Sequence, residues 1–364
     1  MATHAATWEY RETHGNTFGR TYFRPFGELA ISSIGIGTYL GEPSDAADDN
    51  YVSAISHALE HGCNVVDTAI NYRHQRSERA VGRSIDTATI DRDAVLVATK
   101  GGFVPFDGER PDDPGEYVRQ RYVEPGLLEP ADLVRGQHCI APDFLADQLD
   151  RSLANLDLDA IDLYYVHNPE TQLETQTPGE VYKRLEDAFT MLEERVLNGD
   201  ISRYGIATWD ALRVPMEHEA HLSLKEVEAA ANRAAERAGH DDNHFAALQL
   251  PFNVQMADAF TVSGQPDPDG DGHISALEYA SAQGLSVFTS ASLHQGRLAA
   301  GLPDTVAEQL AGDSPAQRAI NFARSAPGVT CALVGSGSPE HAAENVEAGQ
   351  FDPLGAAAFD AVFQ

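Results

Sequence analysis

Short apolar runs alternate along the chain with segments in which apolar residues recur every three or four positions. The runs are rich in β-branched and aromatic residues, as in buried parallel strands, and the longer period is that of one helix face. Eight strands are predicted, at 31–38, 64–67, 94–100, 161–167, 204–208, 245–250, 285–289 and 329–334. Eight strand–helix units favour a closed (β/α)8 barrel, the TIM barrel, over an open sheet.

Helices are predicted between most of these strands, at 52–59, 77–85, 143–155 and 180–198. The last of them has a continuous apolar stripe that includes Leu185 and Leu192, and Gly199 lies where a C-terminal cap is expected. The aromatic segment before the first strand predicts a hairpin that closes one barrel end. We expect a single domain over 1–364, with the barrel proper at about 31–350 and the hairpin at about 20–30.

One connection is too long for an ordinary loop between a strand and a helix. The stretch 101–142 follows a predicted strand and is rich in Pro and Gly. Loops of this length are usually functional covers or disordered segments. The sequence leaves both possibilities open.

The charge balance is extreme. The chain has 56 acidic and 25 basic residues, a net charge of −31, and its only lysines are Lys100, Lys183 and Lys225. In dilute salt the many carboxylates repel one another and destabilise the folded chain. At about 1 M salt the Debye length falls to about 3 Å and this repulsion is screened. We interpret the composition as adaptation to molar salt, a halophilic character. The rival interpretation, a basic partner, requires a clustered acidic patch, but the acids are spread along the chain.

Other features exclude several protein classes. The acidic balance disfavours nucleic-acid binding. No apolar run reaches the roughly 18 residues of a membrane span, and the N-terminus lacks the basic and apolar regions of a signal peptide, so we expect a cytoplasmic protein without membrane partners. Cys63, Cys139 and Cys331 are widely spaced, form no ligand pattern and are expected to be reduced thiols.

Polar residues stand at the ends of three predicted strands. Asp67, Lys100 and His167 each end an apolar run, and Tyr72 follows Asp67 by five residues. Active sites of α/β barrels are built from strand C-termini and the loops after them. Each residue alone has an ordinary explanation: a helix cap for Asp67, packing for Tyr72, an exposed terminus for Lys100. Their joint placement favours a catalytic site.

This group of side chains suits carbonyl reduction by hydride. A Lys cation beside a phenol should lower the Tyr72 pKa from its usual value of about 10. Asp67 should hold the Lys100 ammonium and offset the cost of burying it. We therefore expect Tyr72 to exchange a proton near neutral pH, with His167 hydrogen-bonded to the reacting oxygen.

Three blocks carry a resemblance to a known family. They read GCNVVDTAINY at 62–72, ATK at 98–100 and DLYYVHNP at 162–169. They resemble the signature blocks of the aldo-keto reductases, and the resemblance extends over about 20–348. It implies a (β/α)8 barrel with an N-terminal hairpin and NADPH or NADH bound without a Rossmann fold. It also implies a small-molecule carbonyl substrate, with Tyr72 as the proton donor.

The resemblance also implies a set of cofactor contacts. The segment 334–341 with Glu344 and Asn345 is similar to the family's adenosine-binding region, and Gln249 matches a position that holds the nicotinamide carboxamide. The full set of implied cofactor-binding residues is Thr38, Asp67, Asn168, Thr208, Gln249, Ser290, Gly335, Ser336, Gly337, Glu344 and Asn345.

Three sites, four residues in all, depart from the family pattern. Ala207-Thr208 stands where Ser-Asn commonly binds the carboxamide, and Ser290 stands where an aromatic residue often stacks on the nicotinamide. Gly337 replaces a basic residue that often holds the 2′-phosphate of NADPH. A strong preference for NADPH is therefore not expected.

A second motif lies near the end of the barrel sequence. The stretch 267–278 fits the calcium-loop pattern of EF-hands, with a Gly at position 6. Its candidate ligands are Asp267, Asp269, Asp271, His273 and Glu278. No entering helix is predicted before it, which favours an Asp/Gly linker over a calcium site.

Two other functions remain open from the sequence. The altered nicotinamide contacts allow a non-enzymatic, cofactor-sensing regulatory or scaffold protein on the same fold. Lys100 could instead be the Schiff-base lysine of an aldolase barrel. The predicted pairing with Asp67 argues against the aldolase, because it keeps Lys100 protonated and a poor nucleophile.

Overall fold

The computed structural model describes residues 1–363 and contains a closed barrel of eight parallel strands. The strands in chain order are β1 (Phe23–Phe26), β2 (Leu29–Ser32), β3 (Ile34–Gly37), β4 (Val65–Asp67), β5 (Leu96–Gly101), β6 (Ile161–His167), β7 (Ile201–Ala207), β8 (Phe245–Pro251), β9 (Gln265–Pro266), β10 (His273–Ile274), β11 (Ser286–Ser290) and β12 (Val329–Gly335). The barrel runs β3 to β8, then β11 and β12, and β12 pairs with β3 to close it. The antiparallel pair β1–β2 is the N-terminal hairpin. The predicted (β/α)8 TIM barrel with a hairpin is confirmed.

Helices surround the barrel. In chain order they are α1 (His4–His14), α2 (Asp45–Glu60), α3 (Arg76–Thr87), α4 (Pro114–Val118), α5 (Pro142–Leu156), α6 (Pro178–Asn198), α7 (Leu224–Ala238), α8 (Asp258–Thr261), α9 (Ala276–Gln283), α10 (Asp304–Ala307), α11 (Pro315–Ser325), α12 (Pro339–Glu347) and α13 (Ala356–Ala361). The longest, α6, begins with a capping box between Thr177 and Glu180 and ends at Gly199 with φ 82°. This left-handed cap is the one expected from the sequence. No helix among residues 1–363 combines the length and apolar character that a bilayer crossing needs.

Two local features differ from the sequence prediction, and the structure describes a third that the sequence left open. The predicted first strand 31–38 is divided, because the chain bends at Ser33 and its first part pairs in the hairpin. The N-terminal helix α1 was not predicted. The long connection 101–142 is folded, with α4 inside it and a small apolar cluster of its own around Val118 and Tyr122.

The hydrophobic core of the barrel consists of two layers, and the hairpin covers only one end of the inner layer. The larger layer fills the space between strands and helices, and the smaller lies inside the barrel. Phe26 of the hairpin belongs to the inner layer and contacts Phe288 edge-on, with ring centroids 5.6 Å apart. The hairpin therefore closes the N-terminal end, as predicted. The C-terminal ends of the strands remain open.

Candidate active site

A cavity of about 630 Å³ lies at the open end of the barrel. This size is within the usual range for small-molecule sites. Eleven of the predicted site residues line it: Thr38, Asp67, Tyr72, His167, Asn168, Thr208, Gln249, Ser290, Gly335, Glu344 and Asn345. Lys100, Ser336 and Gly337 do not line the cavity.

Lys100 lies behind the cavity wall and forms an ion pair with Asp67. The two residues come from the adjacent strands β5 and β4, and Lys100 Nζ is 2.6 Å from Asp67 Oδ2. The ammonium also donates to the carbonyl oxygen of Thr68 at 2.8 Å. Burial alone would lower the Lys100 pKa, but the charge of Asp67 and the hydrogen bonds to Asp67 and Tyr72 outweigh it and raise the Lys100 pKa. Lys100 is therefore a buried cation at neutral pH.

Tyr72 lies between this cation and the cavity. Its hydroxyl oxygen is 3.4 Å from Lys100 Nζ, and the ammonium is 4.9 Å from the centre of its ring. The expected lowering of the Tyr72 pKa is wrong for this structure. Burial raises the pKa of Tyr72, and Lys100 only partly offsets that effect. The phenol therefore keeps its proton through the neutral range.

The turn after Tyr72 has an uncommon backbone. Arg73, His74 and Gln75 all have positive φ, at 46°, 57° and 70°. Such a run of left-handed residues persists only where the surrounding structure holds it. The Arg73 guanidinium donates to the backbone carbonyl oxygen of Glu42 and to the Asp48 carboxylate. The side-chain amide of Gln75 donates to a backbone carbonyl oxygen in the long connection 101–142. These bonds fix the direction in which Tyr72 enters the cavity.

His167 forms another wall of the cavity beside Tyr72. The two rings are 5.9 Å apart and nearly perpendicular, and Phe103 contacts the imidazole edge-on at 5.0 Å. Burial, followed by the charges of Lys100 and His138, lowers the His167 pKa well below its usual value. The imidazole is therefore neutral. Its buried Nδ1 has no hydrogen-bond partner among the described residues.

Three predicted cofactor residues lie around Asp67 and His167. Gln249 donates from Nε2 to Asp67 Oδ1 at 2.7 Å. The Thr208 hydroxyl donates to the backbone carbonyl oxygen of Gln249 at 3.4 Å, and Asn168 has a left-handed backbone with φ 46°. Hydrogen bonds thus join Asp67, Gln249 and Thr208 in one part of the cavity lining.

Another part of the cavity lining comes from α12. Glu344 and Asn345 belong to this part, and the Asn345 amide donates to the buried Ser336 hydroxyl at 2.8 Å. Gly337 is exposed just outside the lining, and an added Cβ would meet no atom within 4 Å. Within the described chain, the residues that line the cavity include neither Arg nor Lys.

Several lining residues were missed by the sequence analysis. Tyr39, Leu40 and Trp209 lie in the loops after β3 and β7, and Phe103 comes from the long connection. Tyr39 and Trp209 remain 57% and 42% exposed. Their positions could have indicated this role. Loops that follow barrel strands form the active-site end, so large apolar residues directly after predicted strands are candidates for the cavity lining.

The calcium-loop motif is folded without bringing its carboxylates together. Asp267 Oδ1 accepts from the backbone N–H of Asp269, and Glu278 Oε2 accepts from the backbone N–H of Ser275 in a capping box that begins α9. In the described part of the chain, this loop holds no set of three or more ligand atoms within 4.8 Å of one another. Calcium binding here stays an untested prediction.

The eight-stranded barrel is shared with a known family. The model of the aldo/keto reductase family matches residues 33–363. The chain therefore belongs to the aldo/keto reductase family.

Relatives and solved structures agree with this assignment. The chain is 32% identical over 146 residues to 2,5-diketo-D-gluconic acid reductase B from Corynebacterium sp., covering 40% of this chain and 36% of the relative. It is 27% identical over 189 residues to the NADH-specific methylglyoxal reductase of Escherichia coli, covering 50% of each. These alignments thus span half or less of each relative.

Two solved structures share the fold over nearly the whole chain. An aldo/keto reductase from Klebsiella pneumoniae, in complex with NADP and acetate, is 20% identical, with a TM-score of 0.59 over 95% of this chain and 94% of the other. The glycerol dehydrogenase from Gluconobacter oxydans is 19% identical, with a TM-score of 0.63 over 94% and 93% of the two chains. At this identity the likeness shows the same fold.

Proposed function

We propose that the protein reduces an aldehyde or a ketone to an alcohol with NADPH or NADH, and that Tyr72 donates the proton. The observation that carries the proposal is the contact chain from Asp67 through Lys100 to Tyr72, which ends at a cavity also lined by His167. An acid of this kind, held beside a buried cation, is what carbonyl reduction requires.

The cavity suits an extended dinucleotide. Asn71 Oδ1, His167 Nδ1 and Ser292 Oγ belong to lining residues and are buried without a hydrogen-bond partner in residues 1–363. A polar ligand would satisfy groups that are costly to leave unpaired. We assign Gln249 and Thr208 to the nicotinamide end. Residues 335–337 with Glu344 and Asn345 are assigned to the adenosine end, as the family pattern implies.

The side chains divide the chemical work around the reacting carbonyl. The bound cofactor supplies the hydride. Tyr72 gives its proton to the carbonyl oxygen, and Lys100 stabilises the phenolate that remains. Asp67 keeps Lys100 charged, and the neutral His167 donates a hydrogen bond to the same oxygen and orients it. Positioned proton donors of this kind contribute typically 10²–10⁴-fold to a rate.

The comparisons support both cofactors. One similar reductase was solved with NADP, and another relative is named as NADH-specific. Each statement concerns that protein. For this chain, the absence of Arg and Lys from the described cavity lining is consistent with use of either cofactor.

The test is a pair of titrations with NADPH and NADH in molar KCl, followed by turnover of a panel of aldehydes and ketones. We expect cofactor oxidation that depends on the carbonyl compound and fails in Asp67→Asn. Tight cofactor binding with no turnover across the panel would instead identify a cofactor-sensing protein. Borohydride trapping of a substrate on Lys100 would identify an aldolase.

A further inference from the structure

A second group of ligand-type side chains lies away from the cavity. Glu193 of α6 meets His240 and His244, which flank the loop between α7 and β8. His244 precedes the first residue of β8, whereas the cavity lies at the other end of the strands. The carbonyl chemistry described above makes no use of these three residues.

Three atoms of this group converge on one point. His244 Nδ1 is 2.7 Å and His240 Nδ1 is 3.3 Å from Glu193 Oε2, and the two nitrogens are 3.1 Å apart. A triangle with these sides has a circumscribed radius of about 1.8 Å, less than the roughly 2.0–2.2 Å of zinc–nitrogen and zinc–oxygen bonds. A zinc ion can therefore lie at bonding distance from all three atoms, just above their plane, with little movement of the side chains.

The carboxylate is already oriented by other groups. The other oxygen of Glu193, Oε1, accepts from the Tyr204 hydroxyl and from the backbone N–H of His244, both at 2.8 Å. This leaves Oε2 directed at the two imidazoles. Partners that fix a ligand in this way are typical of metal sites.

The charge of the group also calls for a cation. The Glu193 side chain is completely buried, and within residues 1–363 the only basic side chains within 4 Å of its carboxylate are the two histidines. A buried carboxylate is costly unless it is paired or coordinates a metal. His240 is almost buried, whereas His244 is 34% exposed and leaves an approach from solvent.

We propose that Glu193, His240 and His244 form a zinc site with a water molecule as the fourth ligand. Two imidazole nitrogens and one carboxylate oxygen are a ligand set that zinc takes readily, and the spacing of the histidines is a known one. The site joins α6 to the α7–β8 loop at the end of the barrel opposite the cavity. Its role is therefore to stabilise the fold.

The experiment uses the full chain after treatment with a chelator, in the salt that keeps it folded. Zinc chloride is titrated calorimetrically, and the melting temperature is followed with and without zinc. We expect one zinc ion per chain and a higher melting temperature, with both effects lost in His240→Asn. His244→Asn is the second variant, in case the first does not fold. Cobalt(II) should give the visible absorption of a tetrahedral site in wild type only.

A second histidine pair in the chain provides the matched control. His57 and His61 of α2 and its cap are also four positions apart, with ring centroids 4.0 Å apart, but no described carboxylate completes a three-ligand group there. His57→Ala should leave zinc binding unchanged. The proposal is overturned if wild type shows no saturable zinc binding, or if binding survives in both His240→Asn and His244→Asn. Carbonyl reduction should persist in these variants, so the two proposals fail independently.

Discussion

Gln249 donates a hydrogen bond to Asp67 at 2.7 Å across the open end of the barrel, from β8 to β4 on the opposite side. The second oxygen of Asp67 binds Lys100 at 2.6 Å. Both oxygens of this buried carboxylate are therefore satisfied. The bond makes Gln249 part of the support for Lys100, in addition to the cofactor contact expected from the sequence.

Removal of the Lys100 charge should destabilise the protein strongly. Lys100→Met leaves Asp67 buried without its partner, and we expect the free energy of unfolding to fall by about 3–5 kcal/mol. Addition of Asp67→Asn in the same chain should restore part of this loss. Urea unfolding measures both. Lys183→Met is the control, because its largely exposed ion pairs should contribute about 1 kcal/mol or less. Similar losses of unfolding free energy in Lys100→Met and Lys183→Met would contradict the description of Lys100 and Asp67 as a buried ion pair.

Wild type should discriminate only weakly between NADPH and NADH, and a substitution at Gly337 should alter this preference. Without a cation at Gly337, we expect NADPH and NADH to differ in dissociation constant by less than about tenfold, or about 1.4 kcal/mol. Gly337→Arg should tighten NADPH binding and leave NADH binding nearly unchanged. Gly355→Arg is the control, because Gly355 is likewise exposed with open space around its Cβ. A hundredfold preference of wild type for NADPH would show that another basic residue binds the phosphate.

The buried carboxyl of Glu170 should make stability depend on pH. Burial raises its pKa to about 7, although it accepts hydrogen bonds from the backbone N–H groups of Trp209 and Asp210. The unfolded value is about 4.3, so between these values the native state binds more protons than the unfolded state. The free energy of unfolding therefore falls as pH rises through this window and stays lower above pH 7.

Glu170→Gln keeps an acceptor for Trp209 but cannot ionise. The variant should exceed wild type in stability at about pH 8.5 by roughly 3–4 kcal/mol, and the difference should shrink towards about pH 5. Urea unfolding at the two pH values tests this, with the partly exposed Glu174→Gln as control. A difference that is equal at both pH values would show that Glu170 does not titrate as described.

Salt should stabilise the protein. With a net charge of −31, the acidic side chains repel one another in dilute buffer, and most surface ion pairs add little to the stability of the fold. The melting temperature should therefore rise steeply between about 0.1 M and 2 M KCl as screening increases. A flat melting temperature over that range would contradict the halophilic interpretation.

The sequence predicted the barrel well because its strands are short apolar runs with clear ends. It also placed Asp67, Tyr72 and His167 on one cavity, since strand C-termini of a parallel barrel meet at one end. The bend at Ser33 depends on pairing with the hairpin, which no local pattern shows. The prediction of a lowered Tyr72 pKa was wrong for a similar reason. Only the packed structure determines how far the effect of burial on this pKa exceeds the opposing effect of the Lys100 charge.

Replacement of the proposed proton donor tests the central claim most directly. Tyr72→Phe removes the hydroxyl beside Lys100 and keeps the ring. Tyr39→Phe is the matched control, because its ring lies 5.0 Å from that of Tyr72 and it also lines the cavity. Turnover of an aldehyde accepted by wild type and the dissociation constant of the cofactor are measured for both variants.

We expect Tyr72→Phe to lower turnover by about 10²–10⁴-fold and to leave cofactor affinity nearly unchanged. Tyr39→Phe should retain activity within a few-fold of wild type. Turnover of Tyr72→Phe within a few-fold of wild type would contradict the account and assign the proton to another group.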